Sequence, residues 1–222
     1  GHRTIVVPYF IEPRAIVSYW LTRLCSLQCP AAQRAIKSAG MGDRVYLRCS
    51  ANAQVRMRLL SAFRNVSGAD VKVLDPDERK GPRSASTGFA TQRPEQRLVA
   101  FLASEAALRA SVFGLVPAGL TATSRRLYEV LDAGAIPVVV SDRATLPFAG
   151  NPSVSWSDAV LFHPERDIPK LPARLASISE ARIAAMRAAG RSLARQLRYV
   201  DGEASTLVWQ EMVRLGVPRG AV

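Results

Sequence analysis

Residues 111–148 read SVFGLVPAGLTATSRRLYEVLDAGAIPVVVSDRATLPF, and the reading of this stretch decides the fold. Val112 to Val116 and Ile136 to Val140 are short apolar runs suited to strands buried on both faces, with Pro137 tolerable near a strand's start. Between them, Ser124 stands where a helix would be capped, and Leu127, Val130 and Leu131 then share one face at i, i+3, i+4 spacing. Gly134 supplies the stop. The unit is a βαβ crossover, which implies parallel strands and a right-handed connection.

The same alternation continues on either side. Upstream, Val45 to Cys49 predicts a strand, Gln54 to Phe63 a helix and Val71 to Leu74 a second strand, and Arg93 to Arg109 is helical. Downstream, Ala159 to His163 predicts a strand, Pro164 to Leu171 a connector, Leu175 to Leu197 a helical region broken near Ser179, and Glu203 to Leu215 a last helix. Asp75 to Thr91 is a loop rich in Pro, Gly, Ser and charge. Ala15 to Leu27 and Ala31 to Ser38 look helical, and Thr4 to Pro8 is a brief β-like run. We read residues 1–14 as a linker or edge strand and 15–222 as one domain, an α/β fold with a doubly wound, mostly parallel sheet.

Bulk composition narrows the function classes. The 222 residues are 48% apolar, enough for a substantial core, and no run of 18 apolar residues exists to span a membrane. A chain that starts with Gly is expected to be a piece of a longer protein. The formal charge of +12 invites a polyanion, yet its 26 Arg and 4 Lys are dispersed without a basic block, so nucleic acid is not expected as a partner. Cys25, Cys29 and Cys49 fit neither a zinc site nor a disulfide framework. With only His2 and His163, a multi-histidine metal centre is excluded, and no G-x-S-x-G elbow accompanies His163.

In a parallel sheet, ligands lie beyond the carboxyl ends of the strands. Four loops meet that description, Ser50 to Ala53, Asp75 onward, Pro117 to Thr123 and Ser141 to Thr145, and the third opens a helix whose free N–H groups and dipole favour an anion. Arg125 and Arg126 in the first turn oppose that dipole unless something negative lies nearby. Glu129 can answer both as i+4 and i+3 ion pairs, or it can accept hydrogen bonds from ribose hydroxyls, and the residues alone leave both readings open. Neither G-x-G-x-x-G nor a Walker A motif is present.

Four runs carry a resemblance: S-x-F-x-L-x-P-x-G at Ser111 to Gly119, S-x-R-L-x-E at Ser124 to Glu129, A-G-x-I-P-V-V-x-S-D at Ala133 to Asp142, and L-P-F at Leu146 to Phe148. With Trp156 to Ala159 and the S-I-S-E at Ser177 to Glu180, they resemble the exostosin family, glycosyltransferase family 47. The resemblance implies the C-terminal, donor-binding, Rossmann-like half of a GT-B enzyme. Such an enzyme transfers a sugar with inversion from a nucleotide sugar to a glycan acceptor. It implies that Arg126 pairs with the donor diphosphate, Glu129 with the ribose, and Ser124 and the Gly119 loop with the phosphates. Asp142 would lie near the sugar or the cleft edge, and Arg56 would add positive charge toward the phosphates. The catalytic base would come from a missing N-terminal half, or the chain would work with a partner glycosyltransferase. No cofactor is expected and a divalent metal stays open, because Asp75-Pro76-Asp77 reads as a turn before Arg79 and Lys80. The setting implied is the Golgi lumen, through a membrane anchor outside this chain, where Asn65 of Asn65-Val66-Ser67 could carry a glycan.

Two positions depart from the family pattern: Gly114 where Cys is frequent, and Ala118 where a basic residue is frequent. An alternative reading is a non-catalytic basic module that binds polyanions or a partner enzyme. It rests on Arg191, Arg195 and Arg198 at i, i+4, i+7.

Overall fold

A computed structural model of the chain describes residues 44–49, 53–73, 103–119, 124–200 and 202–216. The β-branched and aliphatic runs form five strands: β1 is Val45–Cys49, β2 Ala69–Val73, β3 Phe113–Pro117, β4 Ile136–Val140 and β5 Leu161–Phe162. They lie in one sheet in the order β2-β1-β3-β4-β5, and every pairing is parallel. The helices are α1 (Gln54–Phe63), α2 (residues 103–110), α3 (Arg125–Asp132), α4 (Trp156–Ala159), α5 (Leu171–Ala176), α6 (Glu180–Gln196) and α7 (Ala204–Arg214), with a 3-10 helix at Glu165–Lys170. The α/β, doubly wound class follows, and among the described strands the sheet is wholly parallel.

Alternate residues of the strands supply two cores. Leu47, Phe113, Leu115, Ile136 and Val138 pack with Leu59 and Phe63 of α1 and with Ile168, Leu171, Leu175 and Met186. Tyr46, Val116 and Val139 face the other way, onto Leu108, Leu127, Val130, Leu131 and Leu193. Helix α6 contributes to both, with Met186 in the first core and Leu193 in the second. It also ties the amino ends of the strands: Arg187 Nη2 donates to Ser111 O at 2.7 Å and Arg44 Nη1 meets Glu180 Oε1 at 3.3 Å. The carboxyl edge lies at the other end of the sheet.

That edge has a gap built into it. β1 pairs with β2 along all five residues but with β3 only through Val45↔Phe113 and Tyr46↔Gly114. The two strands part toward their carboxyl ends, where the chain winds from β1 outward to β2 and from β3 outward to β4. This is the topological switch point, the position at which doubly wound sheets hold their ligands.

Gly114 sets how closely α3 can approach. A Cβ built there would lie 2.5 Å from Val130 Cγ2, 2.6 Å from Val130 Cγ1 and 3.1 Å from Leu108 Cδ2. The bare backbone is what lets Val130 seat on β3.

Several expected boundaries shift. Ser124 does occupy the N-cap with extended backbone, but its side chain makes no capping bond; it borders a cleft instead, and only its carbonyl engages the first turn, accepting from Leu127 N at 3.1 Å. The strand expected over Ala159 to His163 shrinks to Leu161–Phe162, because buried Trp156 donates Nε1 to Pro147 O at 2.8 Å and draws Trp156–Ala159 into a helical turn. The connector after His163 forms the 3-10 helix. The break near Ser179 is real: its hydroxyl accepts from Arg182 N and caps α6. Expectations for Thr4 to Pro8, Ala15 to Leu27, Ala31 to Ser38, Asp75 to Thr91, residues 93–102 and the 1–14 boundary lie outside the described residues.

Gly114→Ala is expected to lower the unfolding free energy by about 1–3 kcal/mol, the usual cost of overpacking a filled core. Urea unfolding monitored by circular dichroism checks this, and the penalty should shrink in a Val130→Ala background, where the obstructing methyls are gone.

Candidate functional site

Arg126 stands at the switch point. From the first turn of α3 its side chain crosses toward β1, where Nη2 donates to Arg48 O at 3.4 Å and Nη1 to Ser104 Oγ of α2 at 3.3 Å. Arg48 lies in the half of β1 that has parted from β3, which leaves its carbonyl open to such a donor. Nη1 also faces Glu129 Oε2 at 3.1 Å, while Arg125 Nε meets Glu129 Oε1 at 3.0 Å. Both ion pairs foreseen in the sequence therefore form, and each oxygen of Glu129 keeps lone-pair capacity for a further donor. Arg126 and Glu129 are one-quarter or less exposed, at 25% and 22%, against 63% for Arg125, so Arg125 is a rim charge.

Positive charge converges on the end of β1. Burial pushes the Cys49 thiol up from its ordinary value, and the guanidinium groups of Arg56 and Arg126 pull it the other way. Arg56, half-buried on α1, thus shares the neighbourhood of Arg126 although their helices lie on opposite faces of the sheet. Burial also raises Tyr46, against the opposing pull of Arg48 and Arg126, and its hydroxyl donates to Ser104 Oγ at 3.1 Å.

Gly119 and Ser124 meet in a second feature, a small, solvent-open cleft between the ends of β3 and β4. Ala118, Ser141, Thr145 and Leu146 complete much of its wall, so it offers hydroxyls and the start of α3 to a ligand. Asp142 is directed elsewhere: its Oδ1 accepts from Glu165 N and its own N donates to Glu165 Oε1, both at 3.0 Å. This reciprocal clasp fastens the loop after β4 to the 3-10 helix, and Asp142 does not line the cleft.

The remaining candidates sort themselves by their partners. His163 is buried, with Arg174 Nη1 at 3.0 Å from Nδ1 and Asp167 O at 2.8 Å from Nε2. Arginine only donates, so Nδ1 accepts and Nε2 carries the proton. Both ring nitrogens are spent on structure. Asn65 sits exposed in the turn after α1. Arg191 and Arg195 are exposed on α6, but Arg198 Nη2 is engaged with Asp132 Oδ1 at 2.9 Å, which interrupts the basic stripe. Asp75-Pro76-Asp77 lies outside the described residues, among which no group of three or more His, Cys, Asp or Glu gathers.

The sequence reading missed Ser104 and Tyr46, while the loop Ser141 to Thr145 was among those expected at the ligand end of the sheet. Ser104 carried no signal, because a serine in an alanine-rich helix looks like a surface position.

The family model of the exostosin GT47 domain matches residues 4–178. The chain belongs to this exostosin GT47 family. Curated relatives agree: an "Exostosin-1 homolog" of Caenorhabditis elegans is 37% identical over 83 residues, which is 37% of this chain and 21% of that protein. A "Probable glucuronosyltransferase" of Oryza sativa subsp. japonica is 41% identical over 71 residues, 32% of this chain and 16% of the rice protein. A "Probable beta-1,4-xylosyltransferase" of Arabidopsis thaliana is 38% identical over 71 residues, 32% of this chain and 17% of the plant protein. The matched stretch thus spans about a fifth or less of these exostosin-type relatives. Among the described residues no helix is long and apolar enough to cross a membrane.

The raised Tyr46 phenol has a pH consequence. Its folded value lies above the unfolded one, so its contribution to stability is complete below the ordinary tyrosine range, near 10.0, and is lost as pH rises through the folded value. Tyr46→Phe should therefore flatten the alkaline fall in melting temperature above about pH 10 relative to the parent chain. Differential scanning calorimetry across that range tests it.

Proposed function

We propose that this exostosin-family chain is the donor-binding half of a GT-B glycosyltransferase, holding the nucleoside diphosphate of a nucleotide sugar during inverting transfer to a glycan acceptor. The observation that carries the reading is Arg126, set at the switch point beside the α3 N-terminus with Glu129 one turn behind it. Loss of a nucleoside diphosphate builds negative charge on the phosphates, and a fixed guanidinium with helix N–H groups stabilises it without reorganising. Gly119 and Ser124 in the cleft supply further donors, Arg56 adds charge near the end of β1, and Glu129 turns toward ribose hydroxyls.

Inversion also needs a base on the acceptor hydroxyl. His163 is unsuited to that task, and the base belongs to the other half of the enzyme or to a partner glycosyltransferase. Asp142, held by Glu165, anchors the loop after β4, whose Ser141 and Thr145 line the cleft. The guanidinium groups do the work a divalent cation would do, and no cofactor is needed for donor binding. The parent protein acts in the Golgi lumen, anchored by a segment outside this chain, and the exposed Asn65 suits a glycan there.

Calorimetric titration of the chain with UDP, GDP and ADP tests this. Arg126→Ala is expected to weaken the tightest of these by roughly tenfold or more, the loss of one charge-assisted contact. Equal affinity for parent and variant would dismiss the site. Addition of EDTA is expected to leave the affinity of the parent chain unchanged, and a collapse of binding would instead call for a metal.

A further inference from the structure

Three elements converge on one oxygen. Ser104 Oγ accepts from Tyr46 Oη of β1 at 3.1 Å and from Arg126 Nη1 of α3 at 3.3 Å, and Ser104 itself is half-buried on α2. Tyr46 is 1% exposed, so the phenol that fixes Ser104 cannot wander. The guanidinium is thereby stretched between Ser104 Oγ and Arg48 O, at 3.3 and 3.4 Å, and meets Glu129 Oε2 through Nη1 at 3.1 Å.

A guanidinium one turn from a carboxylate has a competing arrangement. It can rotate to present two parallel N–H groups to both oxygens, the strong bidentate pair. That arrangement would bury the charge of Arg126 in Glu129 and turn its donors from the crevice. The contacts to Ser104 and Arg48 O oppose the rotation. Each contact uses only one N–H of its nitrogen, so both can persist and hold the group in place while phosphate oxygens take the remaining donors. Of the five N–H donors, Nε–H and one on Nη2 make no bond to the described residues, and two oxygens of a diphosphate match that pair.

The geometry points to Ser104 as a positioning residue for Arg126. Held by Tyr46, it keeps the guanidinium from closing on Glu129 and presents it to a nucleoside diphosphate, an inference that rests on the donor-site reading above. Ser104 acts through Arg126, so its effect on affinity vanishes when Arg126 is absent.

A double-mutant cycle on the full chain measures this, with the nucleoside diphosphate that binds the parent best as the probe. Ser104→Ala is expected to weaken binding about fivefold in the parent and less than about twofold in an Arg126→Ala background, the signature of coupled neighbours. Ser104→Thr, which keeps the hydroxyl, should restore affinity and controls for folding. Equal losses in both backgrounds, or no loss in the parent, would overturn the assignment. If the parent binds none of the three nucleotides, the donor-site reading fails. The positioning role is then judged from 15N–1H spectra of the Arg126 side chain in the free protein. Distinct Nη resonances that average in Ser104→Ala and return in Ser104→Thr uphold it, and spectra indifferent to Ser104 overturn it.

Discussion

Val130 rests on bare backbone at Gly114, and the geometry of the carboxyl edge depends on that contact. With no Cβ between them, α3 lies directly on β3, so the helix begins where the strand ends and its first turn opens at the switch point. A side chain at Gly114 would lift Val130 by an ångström or more, carrying Arg126 and Glu129 with it. The position looks like a packing detail, yet it fixes how far the charged first turn stands from the parted ends of β1 and β3.

The second constraint is electrostatic. A helix that begins with two arginines and no acid in its first turn works against its own dipole. Glu129 offsets part of the cost by pairing with both, but i, i+3 and i, i+4 helix pairs contribute only about 0.2–0.5 kcal/mol each. Arg126 is nonetheless half-buried and reaches past Glu129 to a backbone carbonyl and a serine. A cation kept at the positive end of a helix by such weak bonds is arranged for an anion that arrives later. The family to which the chain belongs supplies a class of ligand that meets this description, a nucleotide sugar.

How much of this could be read in advance depended on whether the cause was local. β1, α1 and β4 were legible to the residue, since each is a continuous apolar or periodic run with its own boundaries in the sequence. The start of α3 was legible too, because two arginines in a first turn break a rule visible in six residues. The helical turn at Trp156–Ala159 was not, as it depends on an indole reaching Pro147 across a loop. Nor was Ser104, whose importance comes from Tyr46 and Arg126, residues on other elements that only the folded sheet brings to it. The reciprocal clasp of Asp142 with Glu165 was not legible either, since the two residues meet only across folded elements.

The central claim is that the carboxyl edge between β1, β3 and β4 holds a nucleoside diphosphate through Arg126. A crystal structure of the chain soaked with a nucleoside diphosphate tests this most directly. The account predicts diphosphate oxygens within hydrogen-bonding distance of the Arg126 guanidinium and the start of α3, with the ribose hydroxyls on Glu129. A nucleotide seated away from that edge, with Arg126 still engaged on Ser104 and Glu129 as in the free chain, would contradict it.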